Sequence, residues 1–361
     1  MLAPKPWLLS LLFALLPPMA TGRVVINEIF YNAPDDITDL EYIELHNSSG
    51  QPVDLGGWAL TKGVKFNFPT GTRIEANGFL VLCRNRERFQ QFYDAPLAGV
   101  FSQHLSKKGE RLELCDPSGR MMDAVKYSDD APWPVGANGY SGSLERISPE
   151  ASGEDPFNWT SSPLSKDRLK PAGTPGRINA NYCAQLPPTI LEVKWAPENP
   201  APEEPMTVEA LVRDSNGVSA VSLFYRLAGP GFEKPESSVP MQKISEGRYS
   251  AAIPGQAADQ LIRFRVQGMG TSGARRYSPA ETEPRPAFSC YVHGRVEPAK
   301  IPFGWIIHTV DSEFKAARQR AQRPEPGGPG EPGRGARGPG MFLAPRVLSA
   351  ADKNRDRKLT P

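Results

Sequence analysis

Histidine and cysteine are both scarce, four of each in 361 residues. His46, His104, His293 and His308 are scattered, and none falls at a Cys/His ligand spacing, which argues against a zinc site. A Gly-x-Ser-x-Gly elbow is missing, as is either Gly-rich phosphate loop, so the familiar hydrolase and nucleotide-binding signatures are not there. A surplus of one charge is lacking too: 42 basic residues stand against 40 acidic ones, a formal net charge of +2. Such a balance neither demands nor excludes a polyanionic partner. Beyond residue 22 no apolar run is long enough to cross a bilayer as a helix, so no transmembrane helix is expected in the mature chain.

What is plentiful is turn chemistry. With 38 prolines and 33 glycines, long helices should be few. The length suits two or three domains, since one core rarely serves more than about 250 residues. Residues 1–22 read as a secretory signal: Lys5, an apolar run from Trp7 to Leu16, then Pro17-Pro18 and the small residues Ala20-Thr21-Gly22. The expected location is therefore secreted, extracellular or at the cell surface. In that setting Cys83, Cys115, Cys183 and Cys290 are disulfide candidates. Pairing Cys83 with Cys115 and Cys183 with Cys290 would staple two modules separately, each loop contributing about 3–5 kcal/mol in the chain-entropy view. Two other pairings exist, and free buried thiols are the alternative.

Residues 23–180 read as a chain of short strands. Val24-Val25-Ile26-Asn27-Glu28-Ile29, Glu41-Tyr42-Ile43-Glu44-Leu45, Phe79-Leu80-Val81-Leu82 and Arg111-Leu112-Glu113-Leu114 follow period-two patterning, so one face of each can be buried. Asn47-Ser48-Ser49-Gly50, Gly56-Gly57, Asn77-Gly78 and Asp116-Pro117-Ser118-Gly119 supply the turns. One short helix is expected from Arg86 to Tyr93. Strands this short and this regularly spaced indicate a β-sandwich.

These pieces also carry a resemblance. Val25-Ile26-Asn27-Glu28-Ile29, then Glu41-Tyr42-Ile43-Glu44-Leu45-His46-Asn47, then Val53-Asp54-Leu55-Gly56-Gly57-Trp58-Ala59-Leu60 resembles the opening of a lamin-tail domain. Phe68-Pro69-Thr70-Gly71-Thr72, Leu105-Ser106-Lys107-Lys108-Gly109-Glu110-Arg111-Leu112, Trp133-Pro134, Ser143-Leu144-Glu145-Arg146 and Gly173-Thr174-Pro175-Gly176 follow in the same order. The resemblance implies an immunoglobulin-like sandwich used for binding rather than for a reaction.

Residues 185–294 form a second β-rich block, similar to a fibronectin type III or related immunoglobulin-like module. Thr207 to Val212, Val221 to Arg226, Gly247 to Pro254 and Ile262 to Val266 are its strands, and the Pro-rich Ala196 to Pro205 is a loop. The fold class is thus all-β, two consecutive sandwiches. Residues 295–340 are a linker, Pro/Gly-rich over 323–340, where irregular glycine spacing excludes a collagen helix.

Residues 341–361 resemble an incomplete EF-hand. Asp352, Asn354 and Asp356 would offer side-chain oxygens to calcium, Lys358 its carbonyl, and Thr360 a direct or water-mediated contact. Arg357 stands where the family's turn glycine belongs, and the bidentate carboxylate that closes the loop lies beyond Pro361, so calcium is expected only in a longer chain. Glu28, Glu41 and Glu44 suggest paired carboxylates, but on alternating strands they read as edge or solvent-face charges. Trp133, between Pro132 and Pro134 on a loop, is the candidate ligand contact, whereas Trp58 and Trp159 read as core. Asn47-Ser48-Ser49 and Asn158-Trp159-Thr160 fit the glycosylation sequon.

Three functions compete. The first is a non-catalytic binding and presentation region whose partners are proteins or surface polysaccharides. The second is an enzyme: the order of modules resembles exported bacterial proteins that carry a lamin-tail domain ahead of a CotH-type spore-coat kinase domain. The third is extracellular DNA binding, disfavoured because Arg84, Arg86, Arg88, Lys107 and Lys108 lack interleaved aromatic residues.

Overall fold

A computed structural model describes residues 23–294, apart from 35, 36, 38, 168, 169, 230 and 231. The expected signal, the linker and the calcium-loop residues Asp352, Asn354, Asp356, Lys358 and Thr360 lie outside the described residues. Within them the protein is built almost wholly from strands, as two immunoglobulin-like sandwiches in sequence.

In the first, a six-stranded sheet has the order β12 (Trp159–Ser161), β11 (Leu144–Arg146), β1 (Val24–Phe30), β2 (Tyr42–Asn47), β7 (Phe79–Cys83) and β8 (Leu97–Val100). Facing it is a four-stranded sheet, β10 (Met121–Lys126), β9 (Arg111–Cys115), β4 (Ala59–Lys62) and β5 (Phe66–Asn67). Alternation turns Ile43, Leu45, Leu112 and Leu114 inward, a bulge in β1 lets Ile26 and Ile29 join them, and all six are fully buried. The helix α1 (Arg86–Gln90) is shorter than expected. Asn85 caps it by accepting the Arg88 amide, and its Phe89 packs with Phe30, Tyr42, Val81 and Cys83 on the outer face of the six-stranded sheet.

The second sandwich pairs β13 (Thr189–Ala196), β14 (Met206–Arg213), β19 (Arg248–Ile253) and β18 (Gln242–Ser245) against β15 (Val218–Gly229), β20 (Leu261–Gly270) and β21 (Arg275–Ser278). Val208, Leu223, Ile253, Phe264 and Val266 fill it, with Trp195 edge-on to Phe264 at 5.2 Å. The Pro-rich loop lies between β13 and β14, as its composition requires.

The sandwiches touch. Arg276 donates to the carbonyls of Phe157 at 2.6 Å and Pro188 at 2.9 Å, and the Thr160 and Thr282 hydroxyls lie 3.1 Å apart. The Glu283 carboxylate accepts the Val135 amide at 3.1 Å.

The thiols depart from the disulfide expectation: all four are free. Leu82 and Leu114 point into the first core, so their neighbours Cys83 and Cys115 point away from it, on the outer sides of opposing sheets. Sheets stack about 10 Å apart, well beyond the reach of a disulfide. Cys290 is buried in the second core, while Cys183 is tied to the first sandwich through its amide and the Ile147 carbonyl.

Candidate functional site

Four motif fragments that are distant in sequence meet on the outer face of the six-stranded sheet. In the ladder, Glu28 of β1 stands opposite Glu44 of β2 on one side and Glu145 of β11 on the other. A β-bulge between Ile26 and Glu28 leaves Asn27 unopposed and turns both Asn27 and Glu28 outward, against strict alternation. None of the three carboxyls is exposed, which corrects the expectation of solvent-face charges for Glu28 and Glu44. The third, Glu145, lies in the Ser143-Leu144-Glu145-Arg146 fragment, where the sequence pattern alone assigns it no role.

Residues 172–181 cover them. Glu28 accepts the Tyr42 hydroxyl at 2.6 Å and the Thr174 amide at 2.9 Å. Glu44 accepts the Asn27 side-chain amide at 2.9 Å and the Gly176 amide at 2.5 Å. Glu145 accepts the Thr174 hydroxyl at 2.7 Å and the Ala180 amide at 3.1 Å. Asn179 completes the network, donating to the carbonyls of Asn27 and Arg146. Desolvation dominates the electrostatics: burial pushes all three carboxyls above their ordinary range, and the neighbouring carboxylates push Glu44 and Glu145 the same way, with Glu145 reaching about 7. Tyr42 is likewise pushed well up by burial and by Glu28. Among the described residues no cluster of His, Cys, Asp or Glu is arranged to hold a metal ion. Each carboxylate oxygen faces a donor of the chain itself, so the cluster binds the fold together rather than a substrate.

Glu41 is also internal, accepting His104 Nδ1 at 2.8 Å and the Leu105 amide at 2.6 Å. Trp133 is corrected as a ligand contact: it is only 8% exposed and packs in the core 6.2 Å from Trp159. Both sequon asparagines are buried as well. Asn47 holds a turn by donating to the Gln51 and Glu75 carbonyls, and Asn158 donates to those of Ser148 and Ser152.

A different surface stays open. On the outer face of the second sandwich, a cleft of ≈ 410 Å³ is lined by Arg226, Glu233, Glu236, Arg265, Glu281 and Pro286. Arg265 reaches Glu236 at 2.7 Å and Glu281 at 2.8 Å and lies over the Tyr277 ring, 4.2 Å from its centre. Arg226 is 3.1 Å from Glu236, and Arg263 pairs with Glu233. β15 and β20 put these groups outward because Leu223, Phe264 and Val266 take the inward positions. The surface offers paired charges and stacked rings, with no candidate nucleophile or His among its lining residues. Sequence reading missed it, although Phe224-Tyr225-Arg226 and Arg263-Phe264-Arg265 carry the alternation that signals it.

Residues 17–129 match the family model of the Lamin Tail Domain. The lamin-tail match reaches through β10 and stops before β11, β12 and the segment covering the glutamates. It supports an immunoglobulin-like domain of the binding type for the first sandwich. No curated protein matches the chain. Among solved structures, the native conformation of E. coli alpha-2-macroglobulin is similar at 12% identity and TM-score 0.21, over 75% of this chain and 20% of that one. Pullulanase from Bacillus acidopullulyticus is similar at 10% identity and TM-score 0.19, over 72% of this chain and 36% of that one. The chain spans about a fifth and about a third of their lengths.

Proposed function

We propose that this chain is a non-catalytic binding and presentation region of an exported protein, holding a protein or surface polysaccharide through exposed sheet faces. One observation carries the reading. The motif carboxylates are buried and hydrogen-bonded within the fold, while the open cleft at Arg226, Glu236, Arg265 and Glu281 presents paired charges beside Tyr277. Aromatic and guanidinium groups on a rigid sheet suit recognition. Export belongs to the proposal through residues 1–22, and N-terminal sequencing of the secreted protein should begin at Arg23. The alternative, that these modules form the N-terminal part of a CotH-type kinase, would show as kinase motifs in a longer coding sequence.

The test uses the mature chain from Arg23 to Pro361. It is passed over immobilised surface polysaccharides and surface proteins, and the Arg265→Ala chain is run beside it. Retention that falls about tenfold in the variant supports the reading, and the retaining matrix separates the two partner classes. Turnover of a phosphate donor or a glycan by the same chain would overturn it.

A further inference from the structure

The outward side chains of β15 and β20 form a two-by-two patch. Phe224 stands opposite Arg265, and Arg226 opposite Arg263, in the ladder that joins the two strands. Neighbours across the ladder lie about 5 Å apart, and the next outward pair about 7 Å along the strand. The Arg265 guanidinium lies against two half-buried rings, 4.2 Å from the centre of Tyr277 and 5.8 Å from that of Phe224. Glu236 accepts its Nε at 3.0 Å and one terminal nitrogen at 2.7 Å, and Glu281 accepts the other at 2.8 Å. A guanidinium held on both forks and stacked on rings is ordered before any ligand arrives.

Arg226, Arg263 and Arg265 are matched by Glu233, Glu236 and Glu281, so the patch carries charge of both signs in equal number. The arginines are the deeper members, with side chains 14–18% exposed, whereas Glu233 is 42% and Glu281 60% exposed at the rim. An anionic chain therefore meets carboxylates first. A cationic chain must draw a carboxylate away from an arginine already paired with it. What remains unused is hydrogen-bonding capacity. Three of the five Arg265 N–H groups are engaged, and among the described residues Glu233 and Glu281 are each bonded through Oε1 alone. A hydroxyl donates to such an oxygen while accepting from such an N–H, and a vicinal diol does so twice.

We propose that the cleft at Arg226, Glu233, Arg265 and Glu281 binds a neutral polysaccharide. It rests on the function proposed above and narrows the partner from a protein or polysaccharide to an uncharged sugar chain. The sugar hydroxyls bridge the rim carboxylates and the spare guanidinium N–H groups, and the apolar face of a sugar ring lies on the exposed parts of Phe224 and Tyr277. No ion pair need break for this, so binding adds contacts without leaving a charge unpaired. The cleft is open and does not enclose a small molecule, which favours a chain laid across the strands over a single sugar.

The test titrates the mature chain with cellohexaose, maltohexaose and chitohexaose, and with polygalacturonate and polylysine as charged controls. At least one neutral sugar should bind, with an affinity that changes less than about twofold between about 0.05 M and about 0.5 M salt. Glu281 is exposed and bonded to Arg265 alone, so Glu281→Ala should fold like the parent and bind that sugar about fivefold or more weakly. Neutral binding that Glu281→Ala leaves unchanged overturns the proposal, as does binding of a charged polymer alone. If no sugar binds while a surface protein is retained through Arg265, this proposal falls and the broader reading stands. If nothing is retained, both fall.

Discussion

Gly173 shows how one side chain's absence organises the first sandwich. A Cβ there would overlap the Tyr42 hydroxyl and lie 2.6 Å from Glu28 Oε1, so Gly173→Ala should lower stability by about 1–3 kcal/mol in urea denaturation. Gly50 has open space around its Cβ position and no left-handed backbone, so Gly50→Ala should change stability by less than about 0.5 kcal/mol. A second residue-scale dependence runs through Arg146, whose guanidinium is buried. It donates to Asp123 at 2.7 Å and to the carbonyls of Ile26 and Ser148. Asp123 also accepts the Ile26 amide at 2.9 Å, linking the two sheets. Asp123→Ala should therefore cost about 3–5 kcal/mol, because it strands a buried charge. Neither role is visible in sequence. Arg146 and Asp123 look like ordinary surface charges until the strands that carry them are stacked.

At the scale of elements, alternation gave the strands and most of the core, since Ile26, Ile43, Leu45, Leu112 and Leu114 sit where period two puts them. It failed at Asn27, where one extra residue in β1 swaps faces and turns Glu28 out beside Glu44. A bulge is a property of the pairing, not of one strand, so β1 alone does not announce it. The boundary of the first module follows from pairing too. β11 hydrogen-bonds to β1, and β12 to β11, so residues 144–161 complete the six-stranded sheet although the lamin-tail match ends at residue 129. A chain cut after residue 129 should expose the β1 edge and the Glu28 carboxyl. Such a fragment is expected to aggregate or lack cooperative melting, whereas residues 23–184 should melt cooperatively by circular dichroism. The thiols follow the same logic: four should react with a thiol reagent in denaturant without prior reduction.

For the whole molecule, the raised carboxyls set the direction of pH dependence. The native state holds protons on Glu28, Glu44 and Glu145 that the unfolded chain releases near 4.5. Between that value and the folded-state value, about 7 for Glu145, the native state binds more protons, so stability falls as pH rises. Glu145's contribution is fully present below about 4.5 and lost as the pH passes about 7, and the raised Glu28 and Glu44 act in the same direction. Chemical denaturation of the mature chain should therefore give a midpoint that drops between pH 5 and 8, by about 1–3 kcal/mol in stability. Glu283 adds in the same direction, since burial pushes it to about 7 where it accepts Val135 of the first sandwich.

By itself the sequence determined that this chain would be layered β-structure in two modules. Burial by alternation and turn formation are local and need no partner to be read. Only the tertiary structure decided which acids are hidden, which tryptophan is covered and which thiols stand apart. Those outcomes depend on register, on a bulge in the β1–β2 pairing, and on a covering segment more than a hundred residues away in sequence.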